Sequence, residues 1–413
     1  MTTWVDTTPE TRWRTGAWIA VSRIVAGILV GHAVVTLFPQ SMLHSRLGTL
    51  GDGTWLGVFD RWDARYYTGI AAHGYPTGTT EVPAFFPGYP LVIRLVHELA
   101  GGALSYAQAG CLVSFAAFTA AAGLLYRLVA ARFGTRAALV STVLFCWFPT
   151  SVFYLAPYTE ALFALEILAV AILVERGRWW WAALVAGYAS ATSPESVALT
   201  AALVVAAALA GRGIRRTLGY AVVGSLGAAA YVAYLGIRLG NPLAFAGAEP
   251  RFHRVVLPPF VAVVENLVAI PRTLHADHVY TGTLRSLSSN VVWMWILDDL
   301  TVVLATIALV YLVVLVVRDR REPGTSIGGR VPIAWLVVLG GVAAIASSTA
   351  LRTRGAPVST EGDARFVSVA FPLYPGLYLL VRRWQAPIVI GLGLSVAAAV
   401  VTQALFNLGY WVT

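Results

Sequence analysis

Residues 59–76 read FDRWDARYYTGIAAHGYP, and residues 85–90 follow with FFPGYP. Aspartates, arginines and aromatic rings crowd into this stretch, directly after an apolar run, in a chain of which only 12% is charged. With 413 residues, 58% of them hydrophobic, and a mean hydropathy of +0.72, the chain carries more apolar surface than one soluble core can bury. Composition therefore gives an all-α polytopic membrane protein, and the polar stretch must face one side of the bilayer. Apolar runs of spanning length, roughly 17 to 25 residues, cover 17–38, 106–126, 137–154, 160–174, 179–192, 195–209, 217–237, 291–317, 331–348, 366–381 and 387–410. That is about eleven transmembrane helices in a single integral membrane domain, 1–413.

Short cytoplasmic loops collect arginine. If Arg12 and Arg14 lie inside, then Arg127, Arg132 and Arg136, the pair Arg176 and Arg178, the trio Arg212, Arg215 and Arg216, the run 318–330, and Arg382 with Arg383 lie inside too. The N-terminus is then cytoplasmic, and three longer segments, 39–105, 238–290 and 349–365, are extracytoplasmic. Within the first, residues 61–73 are expected as a short amphipathic helix in the membrane interface, with Trp62, Tyr66 and Ile70 on one stripe. Residues 91–99 form a second apolar run there, too short to span.

The net charge of +9 comes from arginine alone, scattered between apolar runs rather than gathered into a basic face, so no nucleic-acid partner is expected. Cys111 and Cys146 both fall in expected spans and read as buried, inert thiols. No Walker motif points to nucleotide hydrolysis, and the polar start of the chain reads as no cleavable signal.

Asp60 and Asp63 stand three apart, so a helix would bring both near one face beside Arg61 and Arg65. Such a group is either a solvated ion mixture held by aromatic rings or a carboxylate poised as a general base. Outside the cytoplasm nucleotide sugars are out of reach, so a sugar donor for such a base has to be carried by the lipid itself.

RWDARYYTGIAAHGYP with FFPGYP resembles the first-loop signature of the PIG-V type mannosyltransferases. FPTSVFYLAPYTEALF (148–163), ERGRWWWAALVAGYASAT (175–192), GNPLAFAGAEPRFHR (240–254) and ARFVSVAFPLYP (364–375) resemble further stretches of that family in the same order. The resemblance implies a GT-C type glycosyltransferase fold with an extracytoplasmic site, a polyprenyl-phosphate sugar donor, a lipid or glycan acceptor, and inversion at the anomeric carbon. It makes Asp63 the expected catalytic base, with Asp60 second. Arg61, Trp62, Tyr66, Tyr67, His73, Tyr75, Tyr158 and Glu160 are expected around donor and acceptor, and Arg254 and Arg365 at the donor phosphate. No metal or other cofactor is implied. Two departures stand out: Ser193 precedes Pro194 where an Arg-Pro pair is usual, and Gly88 replaces a bulky residue, which would open room for a lipid or acceptor.

Four further features are scaffold by expectation or divide evenly. Glu160 either binds acceptor or supports Asp63, or else it complements a helix dipole. Asp298 and Asp299 are expected at the start of a spanning helix at the outer interface, Arg23 is expected to snorkel toward the cytoplasm, and Trp179–Trp181 form an interfacial belt. The alternatives to an enzyme are a polytopic lipid or solute transporter and a non-catalytic scaffold in envelope assembly. Ionisable groups sit in outer loops rather than at mid-membrane, which favours the enzyme over the transporter.

Overall fold

The computed structural model describes residues 9–37, 54–78, 80–276, 285–322, 327–351, 360, 362–410 and 412. Its helices in chain order are α1 (Pro9–Leu37), α2 (Ala64–His73), α3 (Gly88–Leu99), α4 (Tyr106–Phe133), α5 (Thr135–Cys146), α6 (Glu160–Glu175), α7 (Trp179–Ala189), α8 (Ser196–Leu209), α9 (Ile214–Gly224) and α10 (Leu226–Leu239). They continue with α11 (Ala244–Ala248), α12 (Val261–Ala276), α13 (Arg285–Arg321), α14 (Ile333–Ala346), α15 (Asp363–Ser368), α16 (Leu373–Val381) and α17 (Gln385–Asn407).

Among the described residues, four helices are long and apolar enough to cross a bilayer: Thr11–Leu37, Tyr106–Phe133, Trp295–Arg321 and Gln385–Asn407. The pair α9 and α10, bent by 45° at Ser225, makes a fifth if it is one span, and α5, α8 and α14 are shorter apolar helices. The chain is thus a multi-pass membrane protein. Each of the eleven expected spans overlies at least one helix, but several are too short or too broken to count as full crossings.

Lipid gives helices little hydrophobic reason to associate, so small residues and polar links do the packing. Gly16 of α1 lies against the backbone of Ala122 in α4, and Gly123 lies under the Trp13 ring. The α4 start is fixed by a capping box between Ser105 and Gln108. Arg23 does not snorkel. It is 2% exposed, donates from Nε to Ser151 Oγ at 3.0 Å and from Nη2 to Gln403 Oε1 at 3.1 Å, and lies 5.3 Å from the Trp147 ring centre. A polar ladder continues from Gln403 Nε2 to Asn407 Oδ1 (2.8 Å) and from Asn407 Nδ2 to the Val58 carbonyl (2.8 Å). It ties α1 and α17 to the segment that begins FDRWD.

Two departures from an all-helical chain bear on function. Strands β1 (Arg254–Val256) and β2 (Thr349–Leu351) pair antiparallel, Arg254 opposite Leu351, and so join two segments far apart in sequence. Asp298 and Asp299 lie within α13 rather than at a helix start, and both are at most 1% exposed. Asp298 Oδ1 accepts from the Ala364 N–H at 2.7 Å, while Asp299 Oδ2 accepts from Asn266 Nδ2 at 2.9 Å and its Oδ1 from Thr360 Oγ1 at 3.2 Å. The pair pins Thr360 and Ala364 to the bundle and thereby aims α15.

Candidate active site

The turn before α2 is held from three sides. Trp62 takes a left-handed φ of 54°, uncommon for a residue with a Cβ. Its Nε1 donates to the Tyr410 carbonyl at 3.2 Å, and Arg61 Nη2 donates to the Asn407 carbonyl at 3.3 Å, so the end of α17 clamps the turn. From beneath, the Tyr158 hydroxyl donates to the Arg61 carbonyl at 3.0 Å and accepts from the Asp63 N–H at 3.1 Å. Asp63 stands at the N-cap of α2 without capping it, which leaves its carboxylate pointed elsewhere.

That carboxylate meets Arg365 of α15: Nη1 donates to Asp63 Oδ2 at 2.9 Å. The side chains are 15% and 5% exposed, so the pair is largely shielded from water. Arg365 Nε also lies 3.5 Å from Glu160 Oε1, and its guanidinium sits 4.6 Å from the Phe366 ring centre and 5.6 Å from that of Tyr158. Burial alone would lower the Arg365 pKa, but Asp63 and Glu160 outweigh it and hold the value above that of an ordinary arginine. Tyr67 is buried too; burial first, then Glu160 and Asp63, push its phenol above the usual range, so it remains a hydrogen-bond donor.

Asp63 and Arg365 open onto a cavity of about 870 Å³. Its polar lining includes Asp63, Thr159, Thr192, Ser193, Glu195, Arg254, Thr349 and Arg365. Its apolar lining includes Phe85, Phe86, Phe245, Phe252, Val255 and Ile345. Tyr66 stacks on Phe85 with ring centres 4.3 Å apart, closing one side. All three segments read as extracytoplasmic contribute to this one cavity: the first through α2, the second through α11 and β1, the third through β2 and Arg365.

Of the residues expected from sequence as base or binding groups, Trp62, Asp63, Tyr66, Tyr67, Arg254 and Arg365 line the cavity and the others do not. Asp60 lies a turn back, outside the lining. Arg61, Tyr158 and Glu160 are at most 2% exposed and support Asp63 and Arg365 from behind. His73 is exposed at the end of α2, and Tyr75 is buried, its hydroxyl donating to the Phe85 carbonyl. The α2 stripe also differs from expectation: Tyr67, Ile70 and Ala71 are buried against protein, and Tyr66 faces the cavity rather than a lipid interface.

Gly88 does not widen the cavity. A Cβ there would meet Thr192 Oγ1 at 2.6 Å and the Ala191 carbonyl oxygen at 2.8 Å, and Gly88 N donates to Ala191 O at 2.6 Å. The glycine lets the start of α3 press against the backbone that leads into Ser193 and Glu195. Sequence reading missed Glu195 because it stands at the edge of an apolar run. The signal was TSPE (192–195), a cluster of polar side chains interrupting a span-like pattern.

Residues 44–211 match the family model of the mannosyltransferases (PIG-V). The FDRWD, FFPGYP, FPTSV and ERGRW stretches all lie inside that match, whereas Arg254 and Arg365 lie beyond it. Over 138 residues the chain is 38% identical to GPI alpha-1,6-mannosyltransferase 2 of Mus musculus, covering 30% of this chain and 27% of that protein. Over 147 residues it is 35% identical to the Homo sapiens protein of the same name, covering 33% of this chain and 29% of that protein. The chain thus spans under a third of the length of these relatives. Among solved structures, an oligosaccharyltransferase from Archaeoglobus fulgidus in complex with Zn and sulfate aligns with a TM-score of 0.47 at 13% identity, over 94% of this chain and 53% of that one.

Proposed function

We propose that this chain is an inverting membrane glycosyltransferase of GT-C type that moves a mannosyl or related hexosyl group from a polyprenyl-phosphate carrier to an extracytoplasmic lipid or glycan acceptor. The observation that carries the reading is Asp63, held by Arg365 in the lining of a cavity that combines acidic and basic side chains with apolar ones. A lipid-borne sugar needs both halves: apolar surface for the carrier and charged groups for the phosphate and the hydroxyls. The match of residues 44–211 to the mannosyltransferase (PIG-V) model supports the sugar and the reaction class.

In this mechanism Asp63 takes the proton of the acceptor hydroxyl as that oxygen bonds to the anomeric carbon. The bond from the anomeric carbon to the phosphate oxygen breaks on the opposite face, and the polyprenyl phosphate leaves with the electron pair. With Asp63 Oδ2 engaged by Arg365, Oδ1 is the oxygen assigned to the proton. Arg254, on β1 in the same lining, is the guanidinium assigned to the leaving phosphate, and Arg365 adds positive charge beside it. Arg254 then takes the place of the arginine that family members carry where this chain has Ser193.

Purified protein mixed with radiolabelled polyprenyl-phosphate mannose and a membrane lipid extract tests the proposal. A labelled product with a new glycosidic bond supports it. Label that crosses a liposome bilayer with no bond formed favours a transporter instead.

A further inference from the structure

Two carboxylates line the cavity, and the mechanism uses one. The other, Glu195, is 4% exposed and stands at the N-cap of α8, yet its side chain makes no capping bond to that helix. Instead one of its oxygens, Oε2, accepts from the Ser193 hydroxyl. Among the described residues no cation lies within ion-pair distance of it. A carboxylate in such a site is costly unless hydrogen-bond donors and positive charge meet it: its own backbone N–H and the nearby charges of Arg365 and Arg254 contribute, and its place in the cavity lining leaves it open to the donors of a bound ligand. The backbone around it is rigidly placed: Gly88 presses against Ala191 and Thr192, and Thr192 Oγ1 is turned away to donate to Glu166 Oε1 at 2.9 Å.

We propose that Glu195 reads the transferred sugar, accepting hydrogen bonds from neighbouring ring hydroxyls of the hexose while Asp63 acts on the acceptor. An ionised carboxylate is acceptor-only, with two oxygens spaced to receive an adjacent pair of hydroxyls. Ser193, by holding Oε2, fixes the plane of the group and makes the pair a selective reader rather than a loose anion. The aliphatic carrier and its phosphate are left to the apolar lining and to Arg254. This inference rests on the glycosyl-transfer reading and adds to it a residue that decides which sugar is accepted.

The test compares wild type with Glu195→Gln and Ser193→Ala, using polyprenyl-phosphate mannose, its 2-deoxy analogue and sugar-free polyprenyl phosphate. Steady-state transfer gives kcat and KM for each sugar donor, and ligand-induced thermal shifts of the detergent-solubilised protein give binding without turnover. Glu195→Gln is expected to lower kcat/KM for the mannosyl donor roughly 10- to 100-fold, the range for a lost hydrogen bond to a charged group. It is also expected to shrink the preference for mannose over the 2-deoxy sugar and to leave binding of sugar-free polyprenyl phosphate unchanged. Ser193→Ala is expected to change the same preference to a smaller degree. A Glu195→Gln protein that binds the carrier as wild type does and keeps the wild-type sugar preference overturns the proposal. Wild type that binds the sugar-bearing and sugar-free carriers equally while still transferring mannose overturns it as well and leaves glycosyl transfer standing. Wild type that neither binds nor transfers from any carrier overturns the glycosyl-transfer reading itself, and this inference with it.

Discussion

At the scale of single residues, the site turns on how Asp63 is held and aimed. Arg365, 302 positions away in sequence, donates to it at 2.9 Å and reaches toward Glu160 at 3.5 Å. Cutting a largely buried pair from one side leaves the other charge stranded. Arg365→Met is therefore expected to lower stability by about 3–5 kcal/mol, measured by chemical denaturation in detergent. The double variant with Asp63→Asn is expected to regain part of that loss, the share due to stranding Asp63, while Glu160 still lacks its arginine. Sequence made Asp63 legible through the WDAR motif. It put Arg365 at the donor phosphate without its pairing to Asp63, because a long-range ion pair leaves no mark on local pattern. Glu195 was lost for a different reason: on a hydropathy reading it is merely the polar edge of a span.

At the scale of elements, tight turns and close approaches hold the chemistry in place. The turn at Trp62, with φ of 54°, is clamped by the carbonyls of Asn407 and Tyr410 at the end of α17. Asp298 fixes the first turn of α15 through the Ala364 N–H, so a residue that composition made a plain interfacial aspartate is a positioner of Arg365. Gly88 was read as making room, and it does the reverse by admitting a backbone where a side chain cannot fit. Gly88→Ala is expected to cost about 1–3 kcal/mol, as overpacking does, and to raise KM for the donor more than it lowers kcat. Thermal melting and steady-state transfer measure the two effects. A variant with unchanged stability and kinetics would mean that the approach of α3 to Ala191 matters neither to the fold nor to the site.

At the scale of the whole molecule, arginine placement groups three segments, 39–105, 238–290 and 349–365, on one side of the bilayer, and residues of all three line one cavity. At the arginine-rich loops Arg132 and Arg330 exchange hydrogen bonds with each other's carbonyls. Helix length was the less legible quantity, because short and bent helices such as α5 and the α9–α10 pair satisfy a hydropathy window without giving one straight span. Sidedness is open to direct measurement, since both native cysteines are buried. In intact cells, Glu98→Cys is expected to react with a membrane-impermeant maleimide, and Arg215→Cys only after the membrane is opened. The opposite pattern would put Asp63 on the cytoplasmic side.

The central claim is that Asp63 removes the acceptor proton in the step that moves the sugar. Single-turnover transfer from labelled polyprenyl-phosphate mannose, measured for wild type and Asp63→Asn with donor binding determined in parallel, addresses it most directly. The variant is expected to bind the donor but to form product roughly 10²- to 10⁴-fold more slowly, the usual contribution of a positioned general base. Product formed by Asp63→Asn at the wild-type rate would contradict it.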